Sequence, residues 1–317
     1  MTFFLHRILT DSVRVFQTLF GCVMFAACVA SAAAARVTVV LSSDAAPYQE
    51  VYQVMRAVLE DSGHDVTREY AGAVSARTLA DARLAVVVGV GAADAVAAQP
   101  GRTPVLAVLV PRVWYQKTGQ ARLADNGRRT VSAIYLDQPF ERQALLIRLA
   151  FPDARRVGVL LGNAQRGLIE DIEAGLRTQK LALSYSLVNE EQRLAMPLEA
   201  VLTEADVLLA VPDPQVLNAS TAQSLLLTSY RYRDPVVGYS RSLTRAGALL
   251  SLHSSPSQIG RQAAVWVLNA LSGPNVRLPA AAFPAYFSIS INEQVARSLG
   301  FVVPPEDELE KRMGGEH

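Results

Sequence analysis

The strongest constraint on this sequence is the alternation of short apolar, β-branched runs with stretches of helical periodicity. Val37-Thr38-Val39-Val40-Leu41 is strand-length and almost continuously apolar, as expected of a strand covered on both faces. Ser42-Ser43-Asp44 breaks the run. Pro47 then opens a segment with Val51, Val54, Met55, Val58 and Leu59 at helix spacing, stopped by Gly63. Further strands are expected at 65–70, 84–88, 105–110 and 131–136, with helices at 75–82 and 92–98. A polar interval containing Gly and Arg runs on to residue 129. A second series follows: helix 140–151, strand 156–161 into Gly162-Asn163, a helix marked by Leu168, Ile172 and Leu176, strand 181–188, helix 197–202, and strand 207–211 into Pro212-Asp213-Pro214. Helix 216–229 and short strands at 235–238 and 248–252 continue it. Ile259, Ala263, Val267 and Ala270 mark a later helix ended by Gly273-Pro274. Residues 286–291 read as a half-exposed strand, Asn292 as the cap of a helix over 293–299, and 305–317 as a frayed tail. The expected fold class is α/β: two Rossmann-like lobes, each a parallel sheet flanked by helices.

Composition agrees with a chain that buries a large core: 50% of its 317 residues are hydrophobic and 19% charged. Thirty Lys+Arg against 29 Asp+Glu leave no single-sign field, which argues against a nucleic-acid partner. The two cysteines, Cys22 and Cys28, both precede residue 36, so no thiol chemistry is available after it.

The segment 1–35 reads as an export signal. His6, Arg7 and Arg14 give a basic start, Val15 to Ala35 carry no charge, and Ala32-Ala33-Ala34-Ala35 offers a small-residue exit. The alternatives are a retained membrane anchor, since the uncharged run of 21 residues is long enough to span, and a lipid-anchored form, since Gly21-Cys22 and Ala27-Cys28 are loose versions of a lipidation site. In each case the expected location is the periplasm. Losing Arg7, Arg14 and Asp11 leaves the remainder formally neutral.

Catalytic signatures are sparse. Gly89-Val90-Gly91-Ala92-Ala93-Asp94 puts an acid where a dinucleotide fingerprint needs its third glycine. His64 and His253 are the only histidines outside the two ends, and no pair has ligand spacing. The reading is therefore a non-enzyme without cofactor or metal. Short polar residues do recur at the C-terminal ends of expected strands: Ser42, Ser43 and Asp44; Gly89 and Gly91; Asn163; Asp213; Tyr239 and Ser240. In open α/β sheets these ends line the ligand crevice. Ser, Asp and Asn are also ordinary helix N-caps.

Several segments carry a family resemblance: Leu149–Leu160, with Phe151-Pro152-Asp153-Ala154-Arg155-Arg156-Val157-Gly158 at its centre; Ala205–Val216; Pro235-Val236-Val237-Gly238-Tyr239-Ser240; Gly247-Ala248-Leu249-Leu250-Ser251; Gly260-Arg261-Gln262-Ala263-Ala264; and Ser288-Ile289-Ser290-Ile291-Asn292 with Ala296-Arg297-Ser298-Leu299-Gly300-Phe301. In order and spacing they resemble the substrate-binding proteins of ABC transporters of the TrpX-like family, over roughly 140–304. The first lobe is similar in layout only. The resemblance implies the type I periplasmic-binding-protein fold, with three crossovers near 135, 252 and 279. Lobe one is then 36–134 plus 253–278 and lobe two 135–252 plus 279–305, with a flexible tail at 306–317.

It further implies a monomer that captures a small molecule, an amino acid or related compound, between its lobes and presents it to an inner-membrane ABC permease. The runner-up is an accessory or sensor module that signals to a membrane partner without delivering cargo. On this reading Ser42, Ser43 and the Gly89–Gly91 turn bind from lobe one, and Asn163, Asp213, Tyr239 and Ser240 from lobe two. Asp213 or Asp44 would pair an ammonium, and Tyr48, Trp114 or Tyr239 would stack an aromatic group.

Overall fold

Strands with no polar alternation need cover on two sides, and the computed structural model supplies it twice over. It describes residues 34–189, 194–218 and 220–315; the segment 1–35 that the sequence marks as an expected export signal, with Cys22 and Cys28, lies outside the described residues except for its last two positions. The first sheet is fully parallel in the order β2-β1-β3-β4-β5. Its strands are β1 Arg36–Leu41, β2 Asp65–Tyr70, β3 Leu84–Val88, β4 Val105–Val110 and β5 Val131–Tyr135. Val37, Val39 and Leu41 join one apolar cluster and Val40 the opposite one, the period-2 division of a central strand.

The second sheet runs β11-β10-β9-β8-β6-β7. Its strands are β6 Arg156–Gly162, β7 Ala182–Val188, β8 Val207–Leu209, β9 Val236–Gly238, β10 Leu250–His253 and β11 Ser288–Ile291. Only β11 is antiparallel. Val159 and Leu161 face one cluster and Leu160 the other, so this sheet too is covered on both sides. Among the described residues no helix is long and apolar enough to cross a membrane.

The chain passes between the sheets three times. After β5 it enters the helix Phe140–Ala150, whose Leu146 and Ile147 are fully buried in the second sheet's cluster. After β10 it returns as the helix Pro256–Leu271, which packs on Ala46–Asp61 of the first lobe, with Ile259, Ala263 and Val267 in the cluster of Val51, Met55 and Leu59. Ser255 and Gln258 close a capping box at its start. The third passage follows Ala282, which still bonds to the first sheet: its N–H donates to Ala133 O at 2.9 Å, and its carbonyl accepts from Tyr135 N at 3.0 Å. The change of lobe thus comes a little later than the sequence suggested.

Residues 306–312, expected to fray, instead form the helix Glu306–Arg312 with Leu309 fully buried. Its carboxylates finish the second sheet: Glu306 and Glu310 accept from Ile291 N and Ile289 N, each at 2.7 Å. These are outward N–H groups of the edge strand, the groups most prone to pair with another chain. The charges that suggested a solvated tail are spaced one helical turn apart and satisfy a sheet edge.

At the N-terminal ends of β8 and β9, Asp206 accepts from Arg155 N and Arg156 N at 2.8 Å, whereas Asp234 Oδ2 is buried without a hydrogen-bond partner. Burial first, and the charge of Asp206 second, push the Asp234 carboxyl up to about 7. Between the ordinary carboxylate range and that value the folded state holds a proton that the unfolded chain releases. Stability therefore falls as pH rises through this window. Asp234→Asn is expected to stabilise the protein by about 1–2 kcal/mol at pH 8, after discounting for partial exposure, and to have little effect near pH 4. Thermal melts at the two pH values check this; equal shifts at both would refute it.

Candidate functional site

Because neighbouring strands are parallel, their C-terminal ends gather on one side of each sheet, and the candidate side chains sit in the turns that follow. In the first lobe, Ser42 follows β1. Its hydroxyl donates to Val88 O at 2.8 Å and accepts from Ala92 N at 2.9 Å, tying the ends of β1 and β3 to the start of the helix Val90–Ala97. Gly89 lies between them at φ 86°, and a Cβ there would stand 2.6 Å from Ser42 Oγ and 2.9 Å from the Tyr48 ring. Both the left-handed backbone and the close approach require glycine. Gly91 borders the same serine, at 3.3 Å from a built Cβ. Ser43 accepts from Ala45 N at 3.3 Å, and both Ser43 and Asp44 are exposed.

In the second lobe, Asp213 is 4% exposed and both its oxygens are taken: Oδ2 accepts from Gly162 N at 2.7 Å and Oδ1 from Gln215 N at 3.0 Å. Asn163 donates through its side-chain amide to Asn189. Ser240 caps the helix Arg241–Ala246 by accepting from Leu243 N. Tyr239 lines a cavity, and burial, then the Asp213 charge, raises its hydroxyl pKa. His253 pairs Nε2 with Ser290 Oγ at 3.0 Å and is pushed down to about 4 by burial and by Arg241, which leaves it neutral.

The cavity lies between the lobes. Arg112 and Asp137 reach it from the ends of β4 and β5, Leu168, Pro212 and Tyr239 from lobe two, and Phe283 from the third crossover. At about 30 Å³ it admits water-sized contents, so a larger guest requires the lobes to part. Of the nine residues singled out in the sequence, Tyr239 alone lines it. The other eight are not among its lining residues.

Sequence reasoning passed over Arg112, Asp137 and Phe283. Arg112 N donates to Asp137 Oδ2 at 2.6 Å. Burial raises the Asp137 carboxyl above its ordinary range, opposed by backbone N–H groups and the Arg112 charge. The Arg112 guanidinium crosses to lobe two, with Nη2 2.6 Å from Asp171 Oδ2, and lies 5.7 Å from the centre of the Phe283 ring. Lys117 Nζ makes a second link, donating to Ala164 O at 3.0 Å.

Behind the cavity the three crossovers are laced together. Gln138 Nε2 donates to Ser254 Oγ at 2.8 Å, and Ser254 in turn donates to Tyr286 O. Arg142 donates to Gln138 Oε1 at 2.6 Å and to Pro284 O at 3.0 Å, while Gln262 accepts from Ala285 N at 2.8 Å. One segment from each crossover therefore enters a single hydrogen-bonded knot. Chemically the arrangement offers apolar walls, one cation and a buried carboxyl already engaged. Among the described residues no group of three or more His, Cys, Asp or Glu could hold a metal.

Comparison with known proteins follows the same lines. The family model described as "ABC transporter substrate binding protein" matches residues 68–312. A conserved domain protein from Vibrio cholerae is 19% identical, with a TM-score of 0.59, 88% of this chain and 98% of that one being covered. The ABC domain in complex with L-Trp from Streptococcus pneumonia is 16% identical at a TM-score of 0.59, covering 88% and 99%. The ligand-free, open structure of CD0873, a substrate binding protein with adhesive properties from Clostridium difficile, is 15% identical at 0.70, covering 86% and 97%. No curated protein matches the sequence.

Proposed function

Because the chain belongs to the family of ABC transporter substrate-binding proteins, we propose that it is the capture component of an uptake system. It acts outside the cytoplasm, holds a small solute between its lobes, and offers the closed form to an inner-membrane ABC permease. The observation that carries this reading is the position of the cavity: strand ends of both sheets and a crossover segment line it together. A solute there contacts both lobes only when they are together, so its differential affinity favours closure. The knot of Gln138, Arg142 and Ser254 keeps the crossovers in register as the lobes move.

The test is a thermal-shift screen of the protein against small solutes, followed by small-angle scattering with any that bind. A ligand at 100 times its Kd should add about 2.7 kcal/mol of stability and reduce the radius of gyration. A solute that stabilises the protein without compacting it would argue against capture between the lobes.

A further inference from the structure

Arg112 is the one cation among the residues lining the cavity. Its side chain is 15% exposed, and its guanidinium spends one Nη2 bond on Asp171 and a long one, 3.4 Å, on Gln116 Oε1. Its other donors make no hydrogen bond among the described residues. The partner is differently placed: the Asp171 side chain is 51% exposed, in the first turn of the helix Ile169–Arg177, where the helix terminus and water can hold the carboxylate once it swings away. The remaining walls are mainly apolar, among them Leu136, Phe140, Val211, Leu252 and Phe283. The buried carboxylates in and beside the cavity already serve backbone N–H groups. Asp213 gives both oxygens to backbone N–H groups, and Asp137 Oδ2 holds Arg112 N.

Resting on the solute-binding reading above, we propose that Arg112 is the anion anchor of the cleft and Asp171 its internal placeholder. The solute is then a small carboxylate with an apolar body and no ammonium group. Its carboxylate takes the place of Asp171 on the guanidinium, a bidentate match that an exposed side chain making one bond does not provide. Its body enters the apolar cavity as the lobes part to admit it. Removing the placeholder should strengthen binding, which is the opposite of what a merely structural ion pair predicts.

Calorimetry on the full chain with three probes sharing one ring tests this: 3-phenylpropionate, L-phenylalanine and phenethylamine. Expected are binding of the carboxylate, binding of the amino acid about tenfold weaker, and none of the amine. Arg112→Gln should cost about tenfold or more, Arg112→Lys less, and Asp171→Asn should tighten 3-phenylpropionate about threefold to tenfold. Circular dichroism establishes that each variant is folded. Failure of 3-phenylpropionate to bind overturns the anchor. If another solute still closes the lobes in the scattering experiment, the capture reading survives that failure. Unchanged or weaker binding to Asp171→Asn overturns the placeholder. Equal affinity for L-phenylalanine, lost in Asp171→Asn, would make Asp171 an ammonium partner instead.

Discussion

Replacing Gly175 by alanine will destabilise the protein by about 2 kcal/mol, and by valine about 3 or more, although either residue is the better helix former. Gly175 lies within the helix Ile169–Arg177, where propensity alone favours alanine by about 1 kcal/mol. Packing reverses the sign. A Cβ at this position would stand 2.6 Å from Phe140 Cβ, 2.7 Å from the Phe140 carbonyl carbon and 2.9 Å from Glu141 N. Two of those three atoms are backbone, at the start of the helix Phe140–Ala150, and cannot rotate aside. The helices must separate, and Phe140, which lines the cavity, must move with them. Urea titration of the two variants measures the loss, and an alanine variant more stable than the parent would show that the helices do not meet this closely. Weakened solute binding in whichever variant still folds would add that the crossing sets the cleft wall.

The second large effect is expected at Asp213. Asp213→Ala leaves Gly162 N, which is buried, and Gln215 N, which is partly buried, without their acceptor, and each orphaned donor costs about 1–3 kcal/mol. A total near 3 kcal/mol is expected, concentrated in the second lobe, with hydrogen exchange speeding up at 162 and 215. Asp213→Asn keeps one good acceptor and should recover about half. In that variant the Tyr239 hydroxyl loses its negative neighbour, so its pKa moves back toward the ordinary tyrosine value, as absorbance in alkaline solution would report. A fully stable Asp213→Ala variant would overturn this account of the turn.

Asp213 also shows where sequence reading reaches and where it stops. Its place after an apolar run marked it as a residue of the crevice, and the structure does put it in the turn after β8. Which groups its oxygens meet depends on Gly162, 51 positions away, and no local pattern encodes that. The strands themselves were readable because burial on both faces removes polar residues from β3 and β4 altogether. Arg112 and Asp137 follow apolar runs just as Ser42 and Gly89 do, so the strand-end rule extends to them. Arg112 was obscured by a polar interval rich in other cations, such as Arg102, Lys117, Arg122 and Arg128. Its partner Asp171 is 59 residues distant and Phe283 arrives from the third crossover; both are products of topology. The helix Glu306–Arg312 was hidden for a simpler reason: one buried residue, Leu309, is too weak a periodic signal against a run of charge.

The late arrival of the helix Pro256–Leu271 sets an order on assembly. The strands β1 to β5 and the helix Ala46–Asp61 are complete by residue 135, yet Val51, Met55 and Leu59 wait for Ile259, Ala263 and Val267 to close their cluster. The intervening stretch is most of the other lobe, which itself lacks β11 and the helix Glu306–Arg312 until the end of the chain. Neither lobe can finish as an independent folding unit. At about 5–20 residues per second of synthesis, the first lobe spends several seconds with an unpartnered apolar face. A chain ending near residue 255 would thus be expected to yield two open halves and an aggregation hazard, not one working lobe.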